Sequence, residues 1–441
     1  MTIPMISIIV YGAWLALLLV GSRRAPKGSF HQDFMSLEAT KNLQGFAALG
    51  VICHHLSQPP QNGGPMDALG QMQLFREIGF CFVAVFFFVS GYGLLKSLES
   101  KPNYLKGFLR RRILPIVVCF YVMNFFYIAF HLALGTKMPV SEWICKITGV
   151  ALLNDNAWFV PVIIVMYLAF YAAFKKGAGQ TGANSKRAFA FVFIVIALQV
   201  GWFLFNKHFT WWWGEHDWWK KPGALFLAPW YKRPVALWYE GEWWVNSTIA
   251  FFVGMLFARN EKNIFEFFKR AWTVKLIISI LLFVGAFAFK MSLWENNIHY
   301  WLEFSGDNST LPRAIMFGAD TALVLTWLLF VSLLRMKIWT KNRVFELWGK
   351  YSLEFYLMQA LPLRAFSILF GWSDKSFRAK EGLALSTYKD QFMALAYLVL
   401  AIAATMLLGI VVKFVTQRIV GLFGGAKTAA AATSSASGEK A

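Results

Sequence analysis

The stretch Ile78-Gly-Phe-Cys-Phe-Val-Ala-Val-Phe-Phe-Phe-Val-Ser-Gly-Tyr-Gly-Leu-Leu95 holds eighteen consecutive residues without a charged side chain. An uncharged apolar run of this length can cross a bilayer as an α-helix. Ten further apolar runs lie at 4–20, 44–57, 113–134, 157–174, 188–206, 244–258, 273–290, 313–334, 351–370 and 391–414. We therefore predict an all-α fold, a polytopic transmembrane helix bundle with about eleven spans.

The composition excludes a water-soluble enzyme. Of the 441 residues, 58% are hydrophobic and 15% are charged, whereas soluble globular proteins carry about 25% charged residues. The formal net charge is +20. In a membrane protein, an excess of lysine and arginine identifies the cytoplasmic loops, so we expect no nucleic-acid partner. The four cysteines form no CxxC pair and the seven histidines show no zinc-ligand spacing. We predict neither a disulfide framework nor a metal site.

The distribution of cations predicts the orientation of the chain. Alternate connections between the runs, from the one after the first run to the C-terminal segment, hold 28 of the 43 lysines and arginines. Because cytoplasmic loops carry the excess of positive charge, we place the N-terminus outside and the C-terminus inside a cell (plasma or inner) membrane. We divide the chain into an N-terminal anchor with a basic loop at 1–33, a transmembrane domain at 34–418 and an Ala/Ser/Gly-rich tail at 419–441, predicted to be disordered.

Two adjacent histidines are the first candidates for chemistry. Eleven residues at 1.5 Å each place His55 about 16 Å along its span from Gln44, near the middle of the bilayer. An ionisable group at that depth is a candidate for function. His54 and His55 point about 100° apart on a helix, so only one of them faces a given cavity. The alternative is a pair of packed histidines that bond to neighbouring helices.

Four further segments combine small, polar and aromatic residues. They read Ser90-Gly91-Tyr92, Asn154-Asp-Asn-Ala-Trp158-Phe-Val-Pro161, Trp243-Trp244-Val-Asn246 and Trp348-Gly-Lys-Tyr-Ser352-Leu-Glu-Phe-Tyr-Leu-Met-Gln359. Each alone also fits close helix packing or an aromatic anchor at the membrane interface. Together and in this order with the histidine helix, they resemble the integral-membrane acyltransferase family 3, which includes bacterial O-acetyltransferases of surface polysaccharides. The resemblance covers about residues 36 to 415.

The resemblance implies a membrane O-acyltransferase with ten family-type spans, to which this chain adds one N-terminal span. The first motif of the family reads Arg or Lys, ten residues, then His, and its histidine falls on His55. Two positions depart from the family. The basic residue is replaced by Gln44, with Lys41 on the same helix face three residues earlier, and the histidine of the tenth span is replaced by Gln359. Because glutamine cannot take a proton, we expect proton transfer to depend on His55 rather than on position 359.

The implied reaction moves an acyl group, acetyl in the O-acetyltransferases, from cytoplasmic acyl-CoA to a hydroxyl of a cell-surface or exported carbohydrate. Acyl-CoA is then a substrate, no cofactor is permanently bound, and the partners are the lipid bilayer, acyl-CoA and the carbohydrate. A sugar hydroxyl needs a general base with a pKa near 7, which histidine supplies. The expected catalytic residues are His55, His54 and Asp320. Asp320 either orients His55 or pairs with an arginine for structural reasons alone.

Basic and aromatic residues provide candidates for the two substrate sites. CoA carries several phosphate charges, and arginine presents a fork that fits phosphate. The expected donor site comprises Lys41, Gln44, Arg110, Arg111 and Arg112, although the arginines also fit a plain topology signal. The residues expected to bind the acceptor or to shape the site are Ser90, Tyr92, Trp158, Trp211, Trp212, Trp213, Glu240, Glu242, Trp244, Asn246, Ser352 and Gln359. The tryptophans fit stacking against sugar rings or an interfacial belt.

Two other classes of function stay open on the sequence alone. A transporter or exporter of a glycan or small solute is also polytopic, but transporters often show internal repeats and paired broken helices, and we find neither pattern. A catalytically inactive membrane scaffold is compatible with the departures at Gln44 and Gln359.

Overall fold

The computed structural model describes residues 5–57, 72–138, 140–149, 152–175, 185–205, 242–298, 310–370 and 388–423. The helices of the first half are α1 (Met5–Leu19), α2 (Leu37–Leu56), α3 (Gln73–Ser100), a π-helical segment (Leu109–Ile113), α4 (Leu114–Ala133), α5 (Val140–Thr148), a 3-10 helix (Asp155–Trp158), α6 (Phe159–Lys175) and α7 (Lys186–Phe205). Those of the second half are α8 (Glu242–Arg259), α9 (Glu261–Lys269), α10 (Trp272–Glu295), α11 (Thr310–Arg335), α12 (Arg343–Lys350), α13 (Ser352–Met358), α14 (Ala360–Leu369) and α15 (Tyr388–Phe423).

Helices follow all eleven apolar runs, which confirms a helical membrane protein. Within the described residues, six helical stretches are long and apolar enough to cross a membrane: Gln73–Ser100, Leu109–Ala133, Asn156–Lys175, Trp272–Glu295, Thr310–Arg335 and Gln391–Phe423. Two shorter apolar helices lie at Met5–Leu19 and Val245–Arg259. The protein is therefore a multi-pass membrane protein, while the predicted count of eleven spans is not confirmed.

One end of the bundle collects the basic connections. There β1 (Ser22–Arg24) pairs antiparallel with β2 (Ile338–Thr340), a short ribbon that the apolar pattern did not predict. Lys96 at the end of α3 forms an ion pair of 2.9 Å with Glu261 at the start of α9. Arg110 donates a hydrogen bond to the carbonyl of Phe423 at the end of α15. We call this region the basic end and the other side of the bundle the opposite end.

Small residues let α3 and α8 cross closely at the centre of the bundle. A Cβ atom added to Gly91 would lie 2.0 Å from the carbonyl oxygen of Phe251, and one added to Gly254 would lie 2.1 Å from that of Phe88. Both contacts are shorter than any real Cβ contact, so glycine is required at the two positions. Close backbone approach at small residues is a common way for helices to associate in membranes.

The N-terminal helix α1 packs against the helix that carries the histidines. The Trp14 indole Nε1 donates to Cys53 Sγ of α2 at 3.4 Å. The Tyr11 ring stacks on Phe75 of α3 with centroids 5.5 Å apart. The Met5 amide donates to Gln391 of α15 at 2.8 Å. These contacts tie α1 to three helices of the bundle.

The tenth apolar run forms two helices rather than one. The two helices meet at Gln359, whose backbone is itself helical (φ −60°, ψ −38°), in the turn that precedes Pro362. Proline lacks an amide hydrogen and its ring crowds the carbonyl four residues earlier, which interrupts helices. The Leu357 carbonyl next to the break accepts hydrogen bonds from Asn154 at 3.0 Å and from the Tyr127 hydroxyl at 3.2 Å. These bonds hold the broken segment in place inside the bundle.

Candidate functional site

A cavity of about 280 Å³ lies between α2, α3, α4, α6 and α13. Near the basic end its lining includes the polar residues Gln44, Ser90, Arg111, Arg112 and Ser352, together with the apolar Leu353. Its lining deeper in the bundle, which we call the inner end, consists of Val83, Phe86, Phe159 and Tyr356. Along α6 the lining residues run from Tyr167 to Phe159, eight residues apart, which corresponds to about 12 Å of depth.

The cavity brings together five residues that the sequence singled out. Gln44, Arg111 and Arg112 belong to the expected donor site, and Ser90 and Ser352 belong to the residues expected to shape the site. They come from four separate segments of the chain. A site with two guanidinium groups at one end and aromatic side chains at the other suits an elongated ligand with a phosphorylated head and an uncharged tail.

The π-helical segment separates the three arginines. Arg110 turns away from the cavity towards the end of α15. Arg111 donates to the Tyr104 carbonyl at 2.5 Å. The Arg112 Nε donates to the Tyr104 hydroxyl at 2.9 Å, and its guanidinium carbon lies 5.7 Å from the centroid of the same ring. Tyr104 thus orients Arg112 through Nε, so its two terminal nitrogens stay available to a ligand.

His54 and His55 lie in the last turn of α2, towards the opposite end. Because α2 begins at Leu37, seven residues before Gln44, His55 lies near the end of its helix rather than halfway along it. Eleven residues at 100° each bring His55 back to within about 20° of Gln44 around the helix axis. His55 therefore lies on the helix face that also borders the cavity, about 16 Å beyond Gln44.

The two histidines differ in their surroundings. The His54 Nδ1 lies 3.1 Å from the Phe75 carbonyl oxygen of α3. A Cβ atom on Gly79 would lie 2.1 Å from that same nitrogen, so α3 packs directly against the His54 ring. The His55 side chain is 6% exposed, and its Nδ1 has no hydrogen-bond partner within the described part of the chain. His54 is thus held by α3, whereas the buried His55 Nδ1 has no such contact among the described residues, and neither histidine belongs to the cavity lining.

Asp320 belongs to a group of buried polar residues that we call the charged cluster, formed by Glu77, Asn246, Lys290 and Asp320. The Asn246 amide donates to Asp320 Oδ2 at 3.1 Å. The Lys290 ammonium lies 3.6 Å from Asp320 Oδ1 and donates to the Glu77 carbonyl oxygen at 2.9 Å. Buried charges are costly unless they are paired, and these contacts pair them across four helices. A role for Asp320 in orienting His55 stays a prediction.

Several other predicted residues lie outside the cavity lining. Lys41 is exposed on the first half of α2. The Tyr92 hydroxyl donates to Glu261 Oε1 at 2.8 Å, in the ion-pair network of the basic end. Trp158 is buried beside Phe159. Gln359 is buried at the helix break, where its Nε2 donates to the Tyr356 carbonyl at 3.0 Å.

The structure describes only part of the segment 211–244, which holds the tryptophans and glutamates expected to bind the acceptor. Trp211, Trp212, Trp213 and Glu240 lie outside the described residues. Glu242 and Trp244 belong to the first turn of α8, where the backbone alone is described. Within the described ranges, no group of three histidine, cysteine, aspartate or glutamate residues could hold a metal ion.

Sequence reasoning missed three residues of the site region. Tyr356 lines the inner end of the cavity and Tyr104 orients Arg112, but tyrosines inside apolar or basic runs resemble ordinary packing residues. Lys290 offered a clearer signal, because a lysine within an apolar run is expensive in a membrane and marks a site with a partner. That rule, applied to the run at 273–290, would have identified the charged cluster.

No curated protein and no solved structure matches the chain. The profile of one family, described as an acyltransferase domain, matches residues 39–414, which is most of the chain. The match begins just inside α2 and includes the cavity, both histidines and the broken helix. The chain therefore belongs to the acyltransferase family 3 of membrane proteins.

Proposed function

We propose that the protein transfers an acyl group, acetyl in the simplest case, from cytoplasmic acyl-CoA to a hydroxyl of a cell-surface or exported carbohydrate. Membership of the acyltransferase family supports the reaction class. The single observation that carries the donor assignment is the cavity, with Arg111 and Arg112 at its basic end and apolar side chains at its inner end. This polarity matches CoA, whose phosphates lie at one end and whose acyl thioester lies at the other.

The proposal requires the basic end to face the cytoplasm. The connections at that end hold the excess of lysine and arginine, which in membrane proteins favours the cytoplasmic side. The CoA phosphates then approach Arg111 and Arg112 from the compartment where acyl-CoA is made. Phe423, where α15 ends, lies at the basic end. A C-terminal reporter that is active only in the periplasm is therefore expected to stay silent.

His55 is the proposed general base. It lies on the face of α2 that borders the cavity, and its Nδ1 is available among the described residues. A neutral imidazole accepts the proton of the acceptor hydroxyl as the oxygen attacks the thioester carbon, and then returns that proton to the leaving thiolate. The imidazole ends the cycle neutral, so no external proton donor is needed.

The acceptor is proposed to approach from the opposite end. His54 and His55 are in the last turn of α2 on that side. Seven tryptophans from Trp211 to Trp238 belong to the connection that the orientation places outside, and three more lie in the two helices that flank it. Aromatic faces stack well against sugar rings. The acyl group therefore travels along the cavity from the cytoplasm, while the carbohydrate stays outside.

Two measurements test the proposed function. Purified protein in lipid nanodiscs is expected to release free thiol from acetyl-CoA when an acceptor glycan is present. Mass spectrometry of envelope glycans from wild-type and deletion strains is expected to show one glycan that loses one acyl mass in the deletion strain. Unchanged envelope glycans, together with solute flux in proteoliposomes that contain the protein, would instead identify a transporter.

A further inference from the structure

We infer that the Tyr356 hydroxyl is a catalytic hydrogen-bond donor that stabilises the oxyanion formed on the thioester carbonyl. This inference rests on the proposed function and adds a residue to it. The acyl transfer passes through a tetrahedral intermediate with a negatively charged oxygen. A donor aimed at that oxygen accelerates the step because it binds the transition state more strongly than the substrate.

The position of Tyr356 is the first argument. It is the lining residue of α13 that lies deepest in the cavity, one turn beyond Ser352. Its ring lies 5.6 Å from the Phe159 ring, measured between centroids, and the side chain is 6% exposed. A ligand whose phosphates contact Arg111 and Arg112 would present its distal, acyl-bearing end to this place.

The hydrogen-bonding partners of the Tyr356 hydroxyl are the second argument. The Tyr356 oxygen is buried and has no hydrogen-bond acceptor within the described part of the chain. The backbone group beside it is the Phe159 amide, which can only donate. The hydrogen of the hydroxyl is therefore free to donate to a ligand. A buried hydroxyl needs an acceptor for its hydrogen, and in the cavity wall a bound thioester carbonyl can supply one.

The surroundings strengthen the positive potential at this point. Phe159 begins α6, and the N-terminus of a helix carries a partial positive charge that favours anions. The backbone around Tyr356 is also fixed. Its carbonyl accepts from the Gln359 side chain at 3.0 Å, and the next carbonyl, of Leu357, accepts from Asn154 and Tyr127. A donor held in place before the reaction pays no reorganisation cost when charge develops.

The histidine pair lies at a compatible depth. On α3, Gly79 contacts His54, and Val83 lines the inner end of the cavity together with Tyr356. Four residues of helix separate these two positions, which corresponds to about 6 Å along the axis. The inner end of the cavity and the last turn of α2 therefore differ by about 6 Å in depth along the bundle. An acceptor hydroxyl that enters between them would have the proposed base on one side and the thioester carbonyl on the other.

The step balances without any further reactant. The acceptor oxygen forms a bond to the thioester carbon while His55 takes its proton, and the carbonyl π electrons move to the oxygen that Tyr356 hydrogen-bonds. The tetrahedral intermediate then collapses, the carbonyl re-forms and the carbon–sulfur bond breaks. The thiolate takes the proton back from His55. Tyr356 keeps its own proton throughout.

The test compares Tyr356→Phe with Tyr397→Phe in purified, nanodisc-embedded protein. Tyr397 is a matched control, because its buried hydroxyl donates to the Leu363 carbonyl at 3.1 Å away from the cavity. We expect Tyr356→Phe to lower kcat by about 10²- to 10³-fold, with the KM for acetyl-CoA unchanged and the Tm equal to or above that of the wild type. We expect Tyr397→Phe to lower the Tm and to keep kcat.

Three results would overturn the inference. They are a Tyr356→Phe protein with wild-type kcat, one with a raised KM and an unchanged kcat, or one whose activity falls only in proportion to a lower Tm. The first excludes the hydroxyl from the reaction, the second makes it a ground-state contact, and the third makes it structural. Failure of the proposed function is distinct, because it would appear as absent acyl transfer in the wild-type protein itself.

Discussion

The separation of the arginines predicts a graded loss of donor binding. Arg112 is partly buried in the cavity wall, and Tyr104 holds its Nε at 2.9 Å. Its two terminal nitrogens have no hydrogen-bond partner among the described residues. Hydrogen bonds to charged groups contribute about 1.5–3 kcal/mol, so Arg112→Gln should raise the KM for acyl-CoA by about 10- to 150-fold. Arg111 is exposed, and exposed charge pairs contribute about 0–1 kcal/mol. Arg111→Gln should therefore raise the KM by at most about fivefold.

Arg110→Gln is the internal control, because Arg110 contacts the end of α15 and not the cavity. Initial rates of thiol release are measured against acyl-CoA concentration for the three variants and the wild type, at low and at moderate salt. The difference in KM between the wild type and the arginine variants should become smaller as the salt concentration rises, because salt screens exposed charges. An Arg110→Gln protein whose KM rises as much as that of Arg112→Gln, or an Arg112→Gln protein with an unchanged KM, would refute this reasoning and place the CoA mouth elsewhere.

Two further predictions concern the charged cluster and the acceptor. Lys290→Met removes the buried ammonium that lies 3.6 Å from Asp320 and 3.8 Å from the Glu77 carboxylate, and loss of one partner from a buried pair costs about 3–5 kcal/mol. Thermal unfolding should show a large fall in Tm that the exposed control Lys262→Met does not show, and equal Tm values would contradict the pairing. Replacing Trp211, Trp212 and Trp213 with alanine should lower acylation of the glycan while hydrolysis of acyl-CoA by water persists. A normally folded variant with full glycan acylation would contradict this prediction and would identify the three tryptophans as aromatic anchors at the membrane interface.

The fold class could be predicted from the sequence because the bilayer imposes it. A long uncharged run such as 78–95 has no stable alternative to a helix in lipid, and the structure places it in α3. The predicted count of eleven spans is not confirmed. The run at 351–370 satisfies the same length rule, but its helix is interrupted at Gln359, where Pro362 removes a helical hydrogen bond and Asn154 and Tyr127 donate to the Leu357 carbonyl. Apolar length alone does not contain those contacts.

In the candidate site, helical periodicity predicts some features, whereas others depend on three-dimensional packing and could not be predicted from the sequence. Helical periodicity places His55 near the direction of Gln44 and turns His54 away from it. The structure adds a contact that periodicity does not contain, the packing of His54 on α3. The π-helical turn that separates Arg110 from Arg111 and Arg112 leaves no trace in composition, so the three arginines looked equivalent. Tyr356 became a candidate only when the structure showed a buried hydroxyl in the wall of a cavity.

The central claim is that His55 performs the base chemistry and that its neighbour His54 does not. The most direct test measures acyl transfer by purified His55→Ala and His54→Ala proteins side by side, together with protein yield and acyl-CoA binding. General base catalysis contributes about 10²- to 10⁴-fold, so His55→Ala should lose that factor in turnover while acyl-CoA binding survives. His54→Ala gives up the 3.1 Å contact with the Phe75 carbonyl and should lose far less. A His55→Ala protein with near wild-type turnover would contradict the mechanism.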